Sequence, residues 1–165
     1  MITIRQFEEQ DWPAVWGIIE PVFRAGETYA YSPSITEEEA YIIWVELPGW
    51  TYVSVDQKDT ILGTYFLKKN QPGLGSHVCN CGYIVAESAR GKGVASKMCE
   101  HSQREALTHG FLSMQFNLVV ATNQEAVRLW RKLGFAIIGT LPKAFNHPRY
   151  GLVDAHIMYK QLAGW

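Results

Sequence analysis

The stretch Arg90-Gly91-Lys92-Gly93-Val94-Ala95 follows the apolar segment Tyr83-Ile84-Val85 and leads into a helix-periodic segment that begins at Val94. A strand that passes through two glycines into a helix leaves several backbone N–H groups without intrahelical partners, at the positive end of the helix dipole. Gly91 and Gly93 allow positive φ and a close approach of backbone to ligand, and Arg90 and Lys92 add charge beside it. The stretch reads either as a seat for phosphate or as a glycine turn before a solvated helix start. It is not a nucleotide P-loop, whose Gly-x-x-x-x-Gly-Lys-Ser/Thr spacing is missing. Nor is it a dinucleotide fingerprint, because no third glycine follows Gly93 at the required step.

Upstream, Ile2 to Phe7 alternates like a first strand, and Asp11 with Pro13 opens a helix carrying Val15, Ile18, Ile19, Val22 and Phe23 at helical spacing. Residues 25–35, with Gly26, Tyr29, Tyr31 and Pro33, read as a loop. Thr36 and Glu39 form a capping box for a second helix to about Glu46, ended by Pro48-Gly49. Trp50 to Val55 and Ile61 to Leu67 flank a polar link as a β-hairpin, Gly73 and Gly75 mark a turn, and His77 to Val85 is the next strand. Downstream come a helix from Val94 to about Thr108, a strand from Met114 to Val120 and a helix from Asn123 to Leu133. A short strand near Phe135 to Ile138 and a last strand from Gly151 to Tyr159 complete the chain. The order βααβββαβαββ predicts an α/β fold in a single domain over residues 1–165, a mixed sheet of about seven strands with about four helices on both faces. The phosphate seat then lies at the carboxyl end of the fourth strand, where ligands of open α/β sheets gather.

With 165 residues, 47% hydrophobic and 19% charged, the chain can bury an ample core without staples. A net charge of −1 argues against a nucleic-acid partner held by a broad basic face. Arg90, Lys92 and Lys97, then Arg128, Arg131 and Lys132, instead cluster in two short stretches suited to a small phosphorylated ligand. Three cysteines, two of them in Cys79-Asn80-Cys81, make neither a disulfide framework nor a zinc pattern, so they read as reduced core thiols and no metal is expected. The N-terminus is unlike a signal peptide and no apolar run reaches membrane-spanning length, so a cytoplasmic protein with no membrane partner is expected.

A second constellation runs Asn123-Gln124-Glu125-Ala126-Val127-Arg128-Leu129-Trp130-Arg131-Lys132-Leu133-Gly134-Phe135. By itself it is an amphipathic helix with a C-cap glycine and Leu129, Trp130 and Leu133 as core. Thr122 and Glu125 have capping-box spacing, which would leave the Asn123 side chain free for other work. Strand Tyr83 to Val85, Arg90-x-x-Gly93-x-Ala95 and Asn123-x-x-Ala126-x-x-Leu129-x-x-Lys132-x-Gly134-Phe135 together resemble the GNAT superfamily of acetyl-CoA-dependent N-acetyltransferases, over most of the chain in element order. Asn117-Leu118-Val119 and the tail Leu141-Pro142-Lys143-Ala144-Phe145 look most like the branch that acetylates free amino acids and related small amines.

The resemblance implies a mostly antiparallel sheet whose fourth and fifth strands splay around acetyl-CoA as co-substrate. Backbone N–H groups of Arg90, Gly91, Lys92, Gly93, Val94 and Ala95 would hold the pyrophosphate, and Val85 would pair with the pantetheine amides. Asn123 would contact the pantetheine arm, and its helix, with Ala126 and Trp130, would wall the thioester side. Lys92, Arg131 or Lys132 would meet the adenosine 3′-phosphate. A small-molecule amine is the implied acceptor, and a homodimer built through the last strands is a family-level expectation.

Acetyl transfer needs a neutral amine, a polarised carbonyl and a departing thiolate. An alkyl ammonium of pKa about 10.4 gives up its proton at pH 7 at a cost of roughly 4 to 5 kcal/mol unless a base or a desolvated pocket helps. Glu27, between Tyr29 and the first helix, is the first candidate base in the implied acceptor pocket, with an exposed loop acid as the alternative. Asp154 and His156, alternating on the last strand, are second candidates or simply a polar edge face. The Tyr83 N–H is the expected carbonyl donor. Asn80 and Asn117, amides within apolar strands, are either further cleft donors or structural polar pairs, and Gly82 suggests a bulge toward the thioester.

Trp130 stands where many relatives carry a tyrosine that protonates the leaving sulfur. A thiol of pKa about 8.5 departs as an anion at pH 7 with a penalty of only about 2 kcal/mol, which makes direct transfer in a ternary complex tolerable without that acid. An acetyl-cysteine on Cys79, Cys81 or Cys99 lacks an evident base partner. Tyr29, Tyr31 and Trp44 form an acceptor wall or ordinary core, and Lys143, His147 and Arg149 bind an acceptor carboxylate or make a solvated basic loop. Three functions compete: a small-molecule N-acetyltransferase, a protein acetyltransferase acting on a lysine or an N-terminus, and a non-catalytic acyl-CoA sensor.

Overall fold

The structure, a computed structural model, describes residues 1–164. Seven strands form one sheet: β1 (Thr3–Gln6), β2 (Trp50–Val55), β3 (Ile61–Lys69), β4 (Val78–Val85), β5 (Ser113–Val120), β6 (Ala136–His147) and β7 (Gly151–Gln161). Their order is β1-β2-β3-β4-β5-β7-β6, antiparallel throughout except for the β4–β5 pair. That parallel contact is short. Val78 pairs with Ser113 and Cys79 with Met114, and beyond them the two strands separate.

Helices α1 (Trp12–Ala25) and α2 (Glu37–Tyr41) cover one face, and α3 (Val94–Thr108) and α4 (Gln124–Lys132) the other. Val15, Ile19 and Phe23 repeat every four residues along α1 and are fully buried against Val53, Phe66 and Ile84. Gly26 ends this helix at φ 64°, a conformation that favours glycine. On the opposite face Val94, Met98, Cys99, Ser102 and Ala106 of α3 pack with Tyr65, Leu67, Met114 and Phe116. The period-2 alternation of the strands feeds both cores: Tyr52 belongs to one and its neighbour Val53 to the other.

The second helix begins as the capping box predicts, with Thr36 Oγ1 accepting from the Glu39 N–H at 3.1 Å. Its continuation differs. Ile42–Glu46 widen into a π-turn, closed by the Leu47 N–H on the Ile42 carbonyl at 2.8 Å. Tertiary bonds accompany the widening: Thr51 Oγ1 donates to the Trp44 carbonyl at 2.8 Å, and the Trp44 indole donates to Thr64 at 3.0 Å.

The end of the chain also differs from expectation. Instead of a short strand and a basic loop, β6 runs twelve residues through Pro142. It is the outermost strand, where a residue without an N–H is tolerated, and a register shift between Leu141 and Phe145 absorbs the irregularity. Lys143 adopts φ 51° there, and its N–H donates to Asp154 Oδ1 at 3.0 Å. No helix among the described residues is long and apolar enough to cross a membrane.

Candidate active site

Where β4 leaves β5, half of its backbone loses its partner. The even residues of β4 bond to β3, as the Ala86 N–H on the Leu62 carbonyl and the Asn70 N–H on the Val78 carbonyl fix the parity. The N–H and C=O groups of Cys81, Tyr83 and Val85 therefore face the gap. One is taken: the Tyr29 hydroxyl donates to the Tyr83 carbonyl at 3.0 Å. The N–H of Tyr83 and both groups of Val85 line an open edge suited to an extended ligand with amides of its own.

That edge leads straight into the glycine stretch. After a single turn at Glu87–Ala89, Gly91 and Gly93 take φ 76° and 79°, and α3 starts at Val94. Lys97 is the first residue of the helix whose N–H finds a carbonyl, that of Gly93 at 3.1 Å. Among the described residues the N–H groups from Gly91 to Ser96 donate to nothing, whereas the Arg90 N–H, expected to join them, is spent on the Glu87 carbonyl at 3.3 Å as the preceding turn closes. A Cβ on either glycine would meet only open space, so it is backbone conformation and not crowding that selects glycine. Arg90 and Lys92 are exposed and enter no ion pair among the described residues. The arrangement fits a diphosphate: a cluster of unspent donors, the positive end of α3 and two free cations. Beside it a groove of about 500 Å³ between α1 and the end of β4 is lined by Ile18, Val22, Val85, Ala86 and Arg90.

On the far side of the gap α4 is capped by Asn123, whose Oδ1 accepts the Ala126 N–H at 3.4 Å. The expected Thr122 cap is thus corrected, because the helix starts one residue later than a Thr122–Glu125 box requires. One end of the Asn123 amide is committed to the cap and its Nδ2 remains available. The Trp130 ring packs on Tyr83 and Phe116, both at 5.1 Å between centroids, and walls the gap on the α3 side. Lys132 and Arg131 lie exposed in the last turn of α4.

The loop between α1 and α2 supplies the other wall. Tyr29 and Tyr31 stack at 5.9 Å and 9°, and both rings meet Phe23 edge-on. Desolvation raises the Tyr29 pKa, so its phenol stays protonated and donating. The β3–β4 register runs unbroken from Lys69–Cys79 to Gly63–Val85, which removes the expected bulge at Gly82. Glycine is required there by crowding instead: a Cβ would stand 2.5 Å from a Phe66 ring carbon and 3.1 Å from the Tyr29 oxygen.

Asn80 and Asn117 lie on this same face but in unlike settings. Asn80 Nδ2 donates to the Gln115 carbonyl at 2.8 Å and bridges β4 to β5 just beyond their last backbone pair. Asn117 is exposed, not buried as the apolar run around it suggests, and its amide joins Asn70 Oδ1 at 2.7 Å and Gln115 Nε2 at 2.9 Å. Glu27 is exposed at the start of the tyrosine loop.

Asp154 and His156 are not brought to this wall: they serve the outer hairpin, the one holding Lys143 and the other bonding Thr140 at 2.9 Å. His147 is buried, with its Nδ1 accepting the turn N–H groups of Arg149 and Tyr150. The basic loop expected to meet a carboxylate is thus a strand end and its turn. The three thiols are buried. Burial lifts Cys99 to about 11 and Cys81 well above the ordinary thiol range, which keeps both protonated and unreactive. Sequence reasoning missed two lysines. Lys160 spans α3 and α4 through Gln103 at 2.6 Å and the Leu133 carbonyl at 2.8 Å, and Lys68 stands on the tyrosine-lined face.

Known proteins share this fold. A GCN5-related N-acetyltransferase structure from Kribbella flavida is 42% identical, superposes at TM-score 0.92 and is matched over 97% of each chain. A phosphinothricin acetyltransferase of Sinorhizobium meliloti, solved in complex with AcCoA, shares the fold at TM-score 0.87 and 17% identity, over 98% of this chain and 89% of that one. N-acetyltransferase aca1 of Schizosaccharomyces pombe is 39% identical over 111 residues, 67% of this chain, and the match spans about half (53%) of that relative's length. The profile of the acetyltransferase (GNAT) family matches residues 5–135, from β1 through α4 and past the splayed strands and the glycine seat. The chain therefore belongs to the GNAT acetyltransferase family.

Proposed function

We propose that the protein transfers an acetyl group from acetyl-CoA to the amine of a small molecule, an amino acid or a related compound, by direct attack in a ternary complex. The observation that carries this reading is the pair of unspent backbone sets that follow one another along the chain, the Tyr83 N–H and both groups of Val85 on β4, then the N–H groups from Gly91 to Ser96 at the start of α3. The relatives support it too, one of them solved with AcCoA. In this reading the N–H groups of Gly91 to Ala95 hold the diphosphate, Val85 pairs with the pantetheine amides, and Lys92 or Lys132 meets the remaining phosphate. The fixed diphosphate and the strand-like pairing then place the thioester beside the Tyr83 N–H.

The Tyr83 N–H donates to the carbonyl oxygen as it gains charge; loss of such a donor typically costs around 3 kcal/mol of barrier. The amine nitrogen forms a bond to the carbonyl carbon, the carbon–sulfur bond breaks, and the amine proton passes through water to the Glu27 carboxylate at the loop rim. The sulfur departs as thiolate past Trp130. The buried, protonated state of Cys81 and Cys99 disfavours an acetyl-enzyme.

The test follows free thiol after mixing the protein and acetyl-CoA with free amino acids, simple amines, or lysine-containing peptides. Thiol release with the small amines is expected. Turnover confined to peptides would replace this reading with a protein acetyltransferase, and acetyl-CoA binding without turnover on any acceptor would replace it with a sensor.

A further inference from the structure

On the acceptor side one cation stands without a counter-ion. Lys68 lies on β3 with Thr64 and Phe66 on the face covered by α1 and α2, and its register partner on β4 is Asn80. Its Nζ sits 5.3 Å from the centroid of the Phe66 ring. The same ring touches Gly82, above which the Tyr29 hydroxyl reaches the Tyr83 carbonyl. Lys68 is thus tied, through one buried ring, to the stretch of β4 whose far edge is open.

Asn70, Gln115 and Asn117 bond to one another, Asn80 bonds to the Gln115 carbonyl, and no carboxylate among the described residues comes within 4.0 Å of the Lys68 ammonium. The residue is half-buried, and its ammonium enters no ion pair among the described residues. An anion arriving with the acceptor would supply the missing partner. The amide network holds Asn80 and its neighbours in place, and the aromatic wall of Tyr29 and Tyr31 accommodates an apolar side chain.

We propose that Lys68 holds an anionic group of the acceptor, so that the substrate is an amine bearing a carboxylate or a comparable oxyanion a few atoms from its nitrogen. The inference rests on the acetyl-transfer reading above and adds to it the charge of the acceptor and the residue that recognises it. Holding the anion at Lys68 directs the amine toward the open edge of β4 at Tyr83, where the carbonyl carbon would lie.

The experiment compares amino acids with their amides and their decarboxylated amines, in the wild-type protein and in Lys68→Met, Lys68→Gln and Lys68→Arg. The methionine keeps an apolar stem over Phe66, and the glutamine variant serves if Lys68→Met fails to fold. Wild type is expected to favour the acids by about tenfold or more in kcat/KM. Lys68→Met should raise the KM for acids about tenfold to a hundredfold, while KM for acetyl-CoA and turnover of the decarboxylated amines change less than about threefold. Lys68→Arg should recover much of the loss. Equal use of acids and amides by the wild type, or an acid preference that survives both neutral variants, would overturn the assignment of Lys68 alone. Absence of turnover with every small amine would overturn the acetyl-transfer reading itself, and this inference with it.

Discussion

A single backbone conformation shapes the start of α3. Gly93 combines φ 79° with the N-cap of α3, so a side chain there is strained, and in the proposed reading it would add bulk and charge beside the diphosphate. Gly93→Glu should therefore abolish acetyl-CoA binding in calorimetry while the protein stays folded. An unchanged affinity would remove the seat from Gly93. Cys99 is the contrasting case, buried on the inner face of α3 with its thiol raised to about 11. Cys99→Ala should keep kcat within about twofold and lower stability by about 1 kcal/mol, read as a drop of about 2–4 °C in Tm. A collapse of kcat at unchanged Tm would instead bring a cysteine into the chemistry.

Among the elements, β4 is the one on which both walls and the open edge converge. Gly82 has room for no side chain, because Phe66 and Tyr29 occupy the space. Gly82→Ala must displace one of the two rings. The expected outcome is a loss of about 1–3 kcal/mol in chemical denaturation, together with a raised KM for the acceptor as the Tyr29 bond to Tyr83 is disturbed. An alanine accepted with neither change would mean that the tyrosine loop does not rest on β4. At the start of α4, Asn123→Ala should cost about 1 kcal/mol through the lost cap, again measured by denaturation.

The whole molecule is closed at its first edge by an ion pair. Asp11, only 6% exposed, accepts both Arg5 guanidinium nitrogens at 2.8 and 3.0 Å and the Glu8 N–H at 2.8 Å. The guanidinium bonds hold its carboxyl below the usual range. A lowered carboxylate contributes fully above the ordinary value near 4, and its contribution is lost as pH falls through the lowered native value. His101 works in the same direction by another cause. Burial lowers its pKa, so below about 6.5 the unfolded chain takes up the proton more readily and the native state loses ground. Stability should thus fall on acidification, first below about pH 6.5 and again below about pH 4. Asp11→Asn should diminish the second fall, leaving the part that comes from Asp56, whose carboxyl is lowered by the Thr60 and Lys58 N–H groups, and cost about 2 kcal/mol at pH 7, both read from denaturation midpoints across pH. A profile flat across this range would contradict both assignments.

What the residues decided alone was local chemistry: periodicity placed the helices, Thr36 and Glu39 marked a cap, and Gly91 and Gly93 marked the turn that opens α3. Each depends on neighbours a few positions away, where chain connectivity already fixes the geometry. Tertiary structure decided which groups were spent. Sequence cannot show that Asp154 is committed to the Lys143 bulge, that Asn117 lies in the open, that Phe66 rather than a bulge explains Gly82, or that Lys68 stands over the Phe66 ring. Those outcomes turn on strand register and on which side chains meet across the sheet, and pairing partners dozens of residues apart are set only when the whole core packs at once.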